Sequence, residues 1–123
     1  MRFMFVTLLC CLLFAFSAFG QSNQGTITGT ISDPTGAVVA SADIDVKNAD
    51  TGIVYKGGTS ATGNFVIPLP SGIYEMSVNV PGFRKFVQQN IQVAVATDTR
   101  RDVKLEVGAA SDVVTVSDSA PLL

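Results

Sequence analysis

From residue 25 onward the chain alternates apolar and polar side chains with a period of two, the pattern of half-buried β-strands. In 25–32, Ile27, Gly29 and Ile31 share one face, and Thr26, Thr28 and Thr30 the other. In 42–48, Ala42, Ile44 and Val46 alternate with Asp43, Asp45 and Lys47. In 73–80, Tyr74, Met76, Val78 and Val80 alternate with Ile73, Glu75, Ser77 and Asn79. A last strand at 102–107 turns Val103, Leu105 and Val107 inward and Asp102, Lys104 and Glu106 outward. Residues 53–56 read as a further strand. Segment 83–96 reads as one or two more, with Phe83, Val87, Ile91, Val93 and Val95 as core.

Turn chemistry separates these runs. Asp33-Pro34-Thr35-Gly36, Asp50-Thr51-Gly52, Gly63-Asn64 and Pro70-Ser71-Gly72 combine proline, glycine and Asx residues in turn order. Phe65-Val66-Ile67 is a short strand expected to close at Pro68 and Pro70, because proline cannot donate to a ladder. Gly57-Gly58 weakens the end of its strand and predicts a bulge. No helical period occurs after residue 24. About seven short strands at this spacing predict an all-β chain, a single antiparallel β-sandwich of the prealbumin or immunoglobulin kind.

Residues 1–20 break the pattern. Met1-Arg2 is a short basic start, and 3–16 is an apolar run too short for a comfortable bilayer span. Ala18-Phe19-Gly20 supplies small residues where a signal peptidase reads them, so 1–20 is expected to be a signal peptide cleaved before Gln21. Residues 21–24 form a polar tail ahead of the sandwich at 25–107, and 108–123 form a linker and extended tail. Cys10 and Cys11 both fall in the apolar run, so the exported chain carries no thiol and no disulfide.

Charge narrows the function. The formal net charge of −2 becomes −3 once Arg2 is removed, and like charges never run beyond pairs such as Arg84-Lys85 and Arg100-Arg101. Such a surface offers no footprint for nucleic acid. No segment after residue 20 is apolar and long enough for a transmembrane helix.

Candidate chemistry is sparse. The chain contains no histidine, so a Ser-His-Asp triad and the common zinc sites lack an essential member. Asp43 and Asp45 share a strand face and resemble a carboxylate pair, but outward charges on a half-buried strand are the usual solvated face. Gly57-Gly58 and Gly63 lack the helix and lysine of a phosphate loop. The expectation is a non-enzyme with no cofactor and no metal.

Four blocks in order carry a family resemblance: Gly29-Thr30-Ile31-Ser32-Asp33 with Gly36-Ala37; Ala42-Asp43-Ile44-Asp45-Val46 with Thr51-Gly52; T-S-A-T-G-N-F-V-I-P-L-P-S-G-I-Y over 59–74; and Pro81-Gly82-Phe83. Together they resemble the carboxypeptidase regulatory-like domain, a transthyretin-like β-sandwich found beside the catalytic domain of some metallocarboxypeptidases. The resemblance covers 25–107 and the accessory domain alone, so it implies no peptidase activity.

Beyond it, Asp112, Val113, Val114, Thr115 and Val116, followed by small residues and Ala120-Pro121-Leu122-Leu123, resemble the segment between such a sandwich and the plug of TonB-dependent outer-membrane receptors. That resemblance implies a Ton box, which would pair with the periplasmic energy-coupling protein by strand addition. The alternative is a frayed strand and a disordered tail. Neither plug nor barrel strands appear in the sequence. The chain is therefore expected to be the N-terminal periplasmic extension of a receptor, as a fragment or truncated product, or else a free secreted sandwich.

Related sandwiches include starch-binding modules, which implies carbohydrate as a second ligand class. With no tryptophan, the candidate stacking platforms are Tyr55, Phe83 and Phe86, each of which has core packing as its competing role. Phe65 and Tyr74 fall on core positions.

Overall fold

The computed structural model describes residues 1–15, 23–109 and 111–117. Among the described residues there are one helix, α1 (Arg2–Ala15), and nine strands: β1 (Gln24–Ser32), β2 (Asp43–Asn48), β3 (Val54–Gly58), β4 (Asn64–Pro70), β5 (Gly72–Asn79), β6 (Lys85–Val93), β7 (Asp98–Arg100), β8 (Val103–Lys104) and β9 (Val113–Ser117). Two sheets pack face to face. One has the order β4-β1-β7 with β8 also on β1, and the other runs β3-β2-β5-β6-β9. The all-β sandwich expected from the alternation is what the chain forms.

The alternation in the sequence becomes the core. Ile27, Ile31, Phe65, Ile67, Leu69, Val103 and Leu105 come from the first sheet and its continuation. Ala42, Ile44, Val46, Tyr74, Met76, Val78, Ile91 and Val93 meet them from the second. Tyr74 is fully buried yet satisfied, its hydroxyl donating to the Pro70 carbonyl at 2.6 Å.

Several local expectations are corrected. Pro68 and Pro70 do not end their strand; they lie within β4, in continuous register with Thr26 and Gln24. The amide of Ile31 donates to the carbonyl of Gly63, which places residues 63, 65, 67 and 69 toward β1 and 64, 66, 68 and 70 away from it. Both prolines thus occupy outward positions of an edge strand, where no ladder bond is lost. Gly57-Gly58 makes no bulge and pairs in register with Ile44 and Asp43. A Cβ on Gly57 would stand 2.7 Å from Ile67 Cδ1, so this glycine admits a side chain from the facing sheet.

The bulge lies instead in β6, where the partners of Tyr74 and Met76 are Ile91 and Gln88. Asn90 takes up the extra residue at φ 58°, a conformation asparagine tolerates. Val95 and Val107, expected inside, are 45% and 70% exposed, because each lies past the end of its strand.

Pairing is not purely antiparallel. β1 takes β7 and then β8 in parallel along one side, and β6 takes β9 in parallel. Between β7 and β8 the ladder is interrupted, and the Asp102 carboxylate accepts from the Thr30 amide at 3.0 Å in place of a backbone carbonyl. The chain then crosses from sheet to sheet within a few residues. The Leu105 amide donates to the Ser32 carbonyl of β1, whereas the Glu106 carbonyl accepts from the Arg84 amide.

Helix α1 is apolar, and its described large side chains are exposed. No helix among the described residues is long and apolar enough to cross a membrane. The expected cleavage site before Gln21 lies outside the described residues.

Candidate functional site

Edges are where a β-sandwich meets strand-shaped partners, because they carry unpaired N–H and C=O groups. The β4 edge presents two prolines. The β3 edge presents Val54, Lys56 and Gly58 outward, since the Asn48 amide donates to the Ile53 carbonyl and fixes the opposite set toward β2. The edge formed by β7 and β8 is short and broken.

The remaining edge is β9, which holds four of the five residues singled out as a docking segment. Gly108 donates to the Gly82 carbonyl, and a turn closed by Asp112 N–H to Ala109 C=O reverses the chain. Asp112 itself precedes the strand and accepts from the Lys85 amide at 2.9 Å. Val113, Val114, Thr115, Val116 and Ser117 then pair with residues Lys85, Phe86, Val87, Gln88 and Gln89. At the far end the Asn90 side-chain amide donates to Ser117 Oγ at 3.1 Å.

The segment adds almost nothing to the core. Val113 is 55% exposed and Val116 43%, and only Val114 is half-buried. It is a strand laid on a finished sandwich.

The aromatic candidates are not brought together. Tyr55 lies on β3, half-buried and 6.2 Å edge-on from Tyr74. Phe86 lies on β6 and Phe83 in the turn before it, both half-buried against the core. Two strands, β2 and β5, separate β3 from β6. A flat shared stacking surface is therefore not formed by these three side chains.

Asp43 and Asp45 lie on the outer face of β2, where Asp45 pairs with Lys56 at 3.2 Å. Among the described residues, no three His, Cys, Asp or Glu side chains gather closely enough to hold a metal ion. Asp33 organises its own turn: its carboxylate accepts from Thr35 Oγ1 at 2.7 Å and from the amides of Thr35 and Ala37. The Thr35 hydroxyl, with those amides, holds its pKa below the usual carboxylate value.

The profile of the carboxypeptidase regulatory-like domain matches residues 26–106. The chain belongs to that family. The match runs from β1 to β8, and α1 and β9 lie outside the matched residues.

Comparison with curated proteins returns no match. Among solved structures, the Bacillus anthracis TIE protein is similar at 21% identity and a TM-score of 0.59, over 70% of this chain and 17% of that one. A proposed carbohydrate-binding protein of Bacteroides uniformis is similar at 23% identity and 0.54, over 65% and 40%. Catechol 1,2-dioxygenase of Acinetobacter is similar at 12% identity and 0.58, over 82% and 60%. In each case the chain spans less than two thirds of the solved protein, and the likeness is one of fold.

Residues 112–116 are legible in the sequence as an extended segment, but their seat on β6 is not. A parallel pairing over 28 residues of separation leaves no local signal.

Proposed function

We propose that this chain is a non-catalytic docking module, exported to the periplasmic face of the outer membrane as the N-terminal extension of a TonB-dependent receptor. The observation that carries the reading is β9, an uncharged, proline-free strand that lies outside the residues matched to the family and contributes almost nothing to the core. Mechanistically, β9 offers main-chain donors and acceptors to an extended strand of the energy-coupling protein, with Val113 and Val116 supplying apolar contact. The downstream plug and barrel are the other partners of this arrangement.

The test is binding of the energy-coupling protein's purified periplasmic domain. Thr115→Pro removes a main-chain donor that points away from β6 and is expected to abolish binding while the melt stays within a few degrees. Unchanged binding by Thr115→Pro would remove strand addition as the mechanism.

Carbohydrate binding in a free secreted sandwich is the second reading. It is favoured by partial exposure of Tyr55, Phe83 and Phe86 and by similarity to the Bacteroides uniformis protein. Retention on a polysaccharide panel, lost in Phe86→Ala, would support it; no retention on any member would end it.

A further inference from the structure

β9 is tied down differently at its two ends, and we propose that it is a hinged strap with Asn90 as its latch. The hinge lies at the start of the strand. Gly108 donates to the Gly82 carbonyl, Asp112 to the Ala109 carbonyl and Lys85 to the Asp112 carbonyl, so the chain is anchored before β9 begins. In a parallel ladder each residue turns both its N–H and its C=O to the same side, and successive residues alternate. With the register Lys85 to Val113, the main-chain groups of Val114 and Val116 face β6, and those of Val113, Thr115 and Ser117 face outward.

The far end depends on the bulge in β6. Tyr74 pairs with Ile91 and Met76 with Gln88, so Glu75 stands opposite both Gln89 and Asn90. A bulge bends its strand and raises the local twist, and a straight neighbour cannot follow β6 past it. The ladder accordingly stops at Gln89 with Ser117, just before Asn90. The side chains opposite Glu75 then go separate ways. Gln89 Nε2 donates to Glu75 Oε2 at 3.2 Å, back onto β5. Asn90, at φ 58°, sends its amide the other way, to Ser117 Oγ at 3.1 Å. Glycine would meet that φ at lower steric cost, but it has no side chain to reach β9.

Magnitudes decide why one exposed bond matters. A hydrogen bond of this kind shifts an equilibrium by roughly two- to tenfold. For the sandwich that is minor, since no side chain of β9 belongs to its core. For a strand with Val113 and Val116 exposed and only Val114 half-buried, it is a large share of what holds the seat. Elements with few buried apolar contacts open locally, without global unfolding. The strap therefore lifts from the Ser117 end and pivots about 109–112. The inference deepens the docking reading and rests on it for one consequence: the outward groups of Val113, Thr115 and Ser117 stand in line for a partner strand only while the strap is seated.

Amide hydrogen exchange on the full chain, read residue by residue, tests the latch. Asn90→Gly accommodates the same φ and removes the donor, and Ser117→Ala removes the acceptor. Each is expected to speed exchange at Val116 roughly two- to tenfold, and the double variant no further. The β5 amides and the melt should stay unchanged. Asn90→Asp tolerates the φ and accepts from the Ser117 hydroxyl, so it should keep exchange at Val116 slow. Unchanged exchange at Val116 in Asn90→Gly would overturn the proposal, as would effects of the two single variants that multiply. Capture of the energy-coupling protein's periplasmic domain is read in the same variants. Faster exchange with weaker capture supports both the latch and docking on the seated strand; faster exchange with unchanged capture supports the latch and counts against the docking reading.

Discussion

The Lys85 amide donates to the Asp112 carbonyl at 2.9 Å, and this bond decides which main-chain groups of β9 face away from β6. The same strand could sit on β6 with its register shifted by one residue, and Thr115 would then be turned inward. The turn between Ala109 and Asp112 and the Asn90–Ser117 contact pin the two ends and prevent that slip.

Gly29 tests the packing of the first sheet. A Cβ there would run into the Arg101 carbonyl and stand 2.8 Å from Phe65 Cζ. The carbonyl is backbone and cannot swing away. Gly29→Ala is expected to cost about 2–3 kcal/mol, read as a fall in melting temperature of roughly 4–8 °C per kcal/mol. Gly36→Ala, with nothing within 4 Å but φ +91°, should lose less, through backbone strain alone.

Asp102 tests the break in the parallel ladder. Its carboxylate serves the Thr30 amide and pairs with Arg100 at 3.1 Å, with both side chains more than half exposed. Asp102→Ala is expected to cost about 1 kcal/mol, and Asp102→Asn distinctly less, because the amide oxygen still accepts. Equal losses in the two variants would assign the effect to the ion pair instead.

Much of this fold is written locally. The alternation in β1, β2 and β5 marks their inward faces because each lies within a sheet that has one buried side, so Ile27, Ile44 and Met76 could be placed without knowing their neighbours. Edge status is a tertiary property, and it overrode the reading of Pro68 and Pro70 as strand ends. The alternation also over-extended: Val95 and Val107 keep the period past the point where the sheets stop covering them. β7 is three residues long and carries no period at all, and Asp102 looked like an ordinary outward charge. At the candidate site, residues 112–116 were legible as an extended segment, while β6 as their seat depended on a pairing that composition does not encode.

Asp33 gives the pH dependence. Its folded pKa is depressed, first by the Thr35 hydroxyl and then by backbone amides. The ionised form is thus favoured by folding. Its contribution is present above the unfolded pKa, near pH 4, and is lost as pH falls through the folded value. Wild type and Asp33→Asn should show a stability gap above pH 5 that narrows below pH 4, measured by urea melts at each pH. A constant gap would contradict the assignment.

The prolines of β4 are expected to keep that edge single. Pro68→Thr with Pro70→Thr restores two outward donors without touching the β1 ladder. The double variant should gain concentration-dependent association by light scattering while its far-ultraviolet spectrum stays that of the parent. Unaltered association would show that another feature protects the edge.

The most direct measurement is made on a chain lacking residues 111–120. A strand that adds little to the core of a complete sandwich can be removed without removing the fold. This deletion is expected to abolish capture of the energy-coupling protein's periplasmic domain and to move the melting temperature by no more than a few degrees. Loss of the cooperative melt would show that β9 is a structural strand, and retained capture would place the docking surface elsewhere on the sandwich.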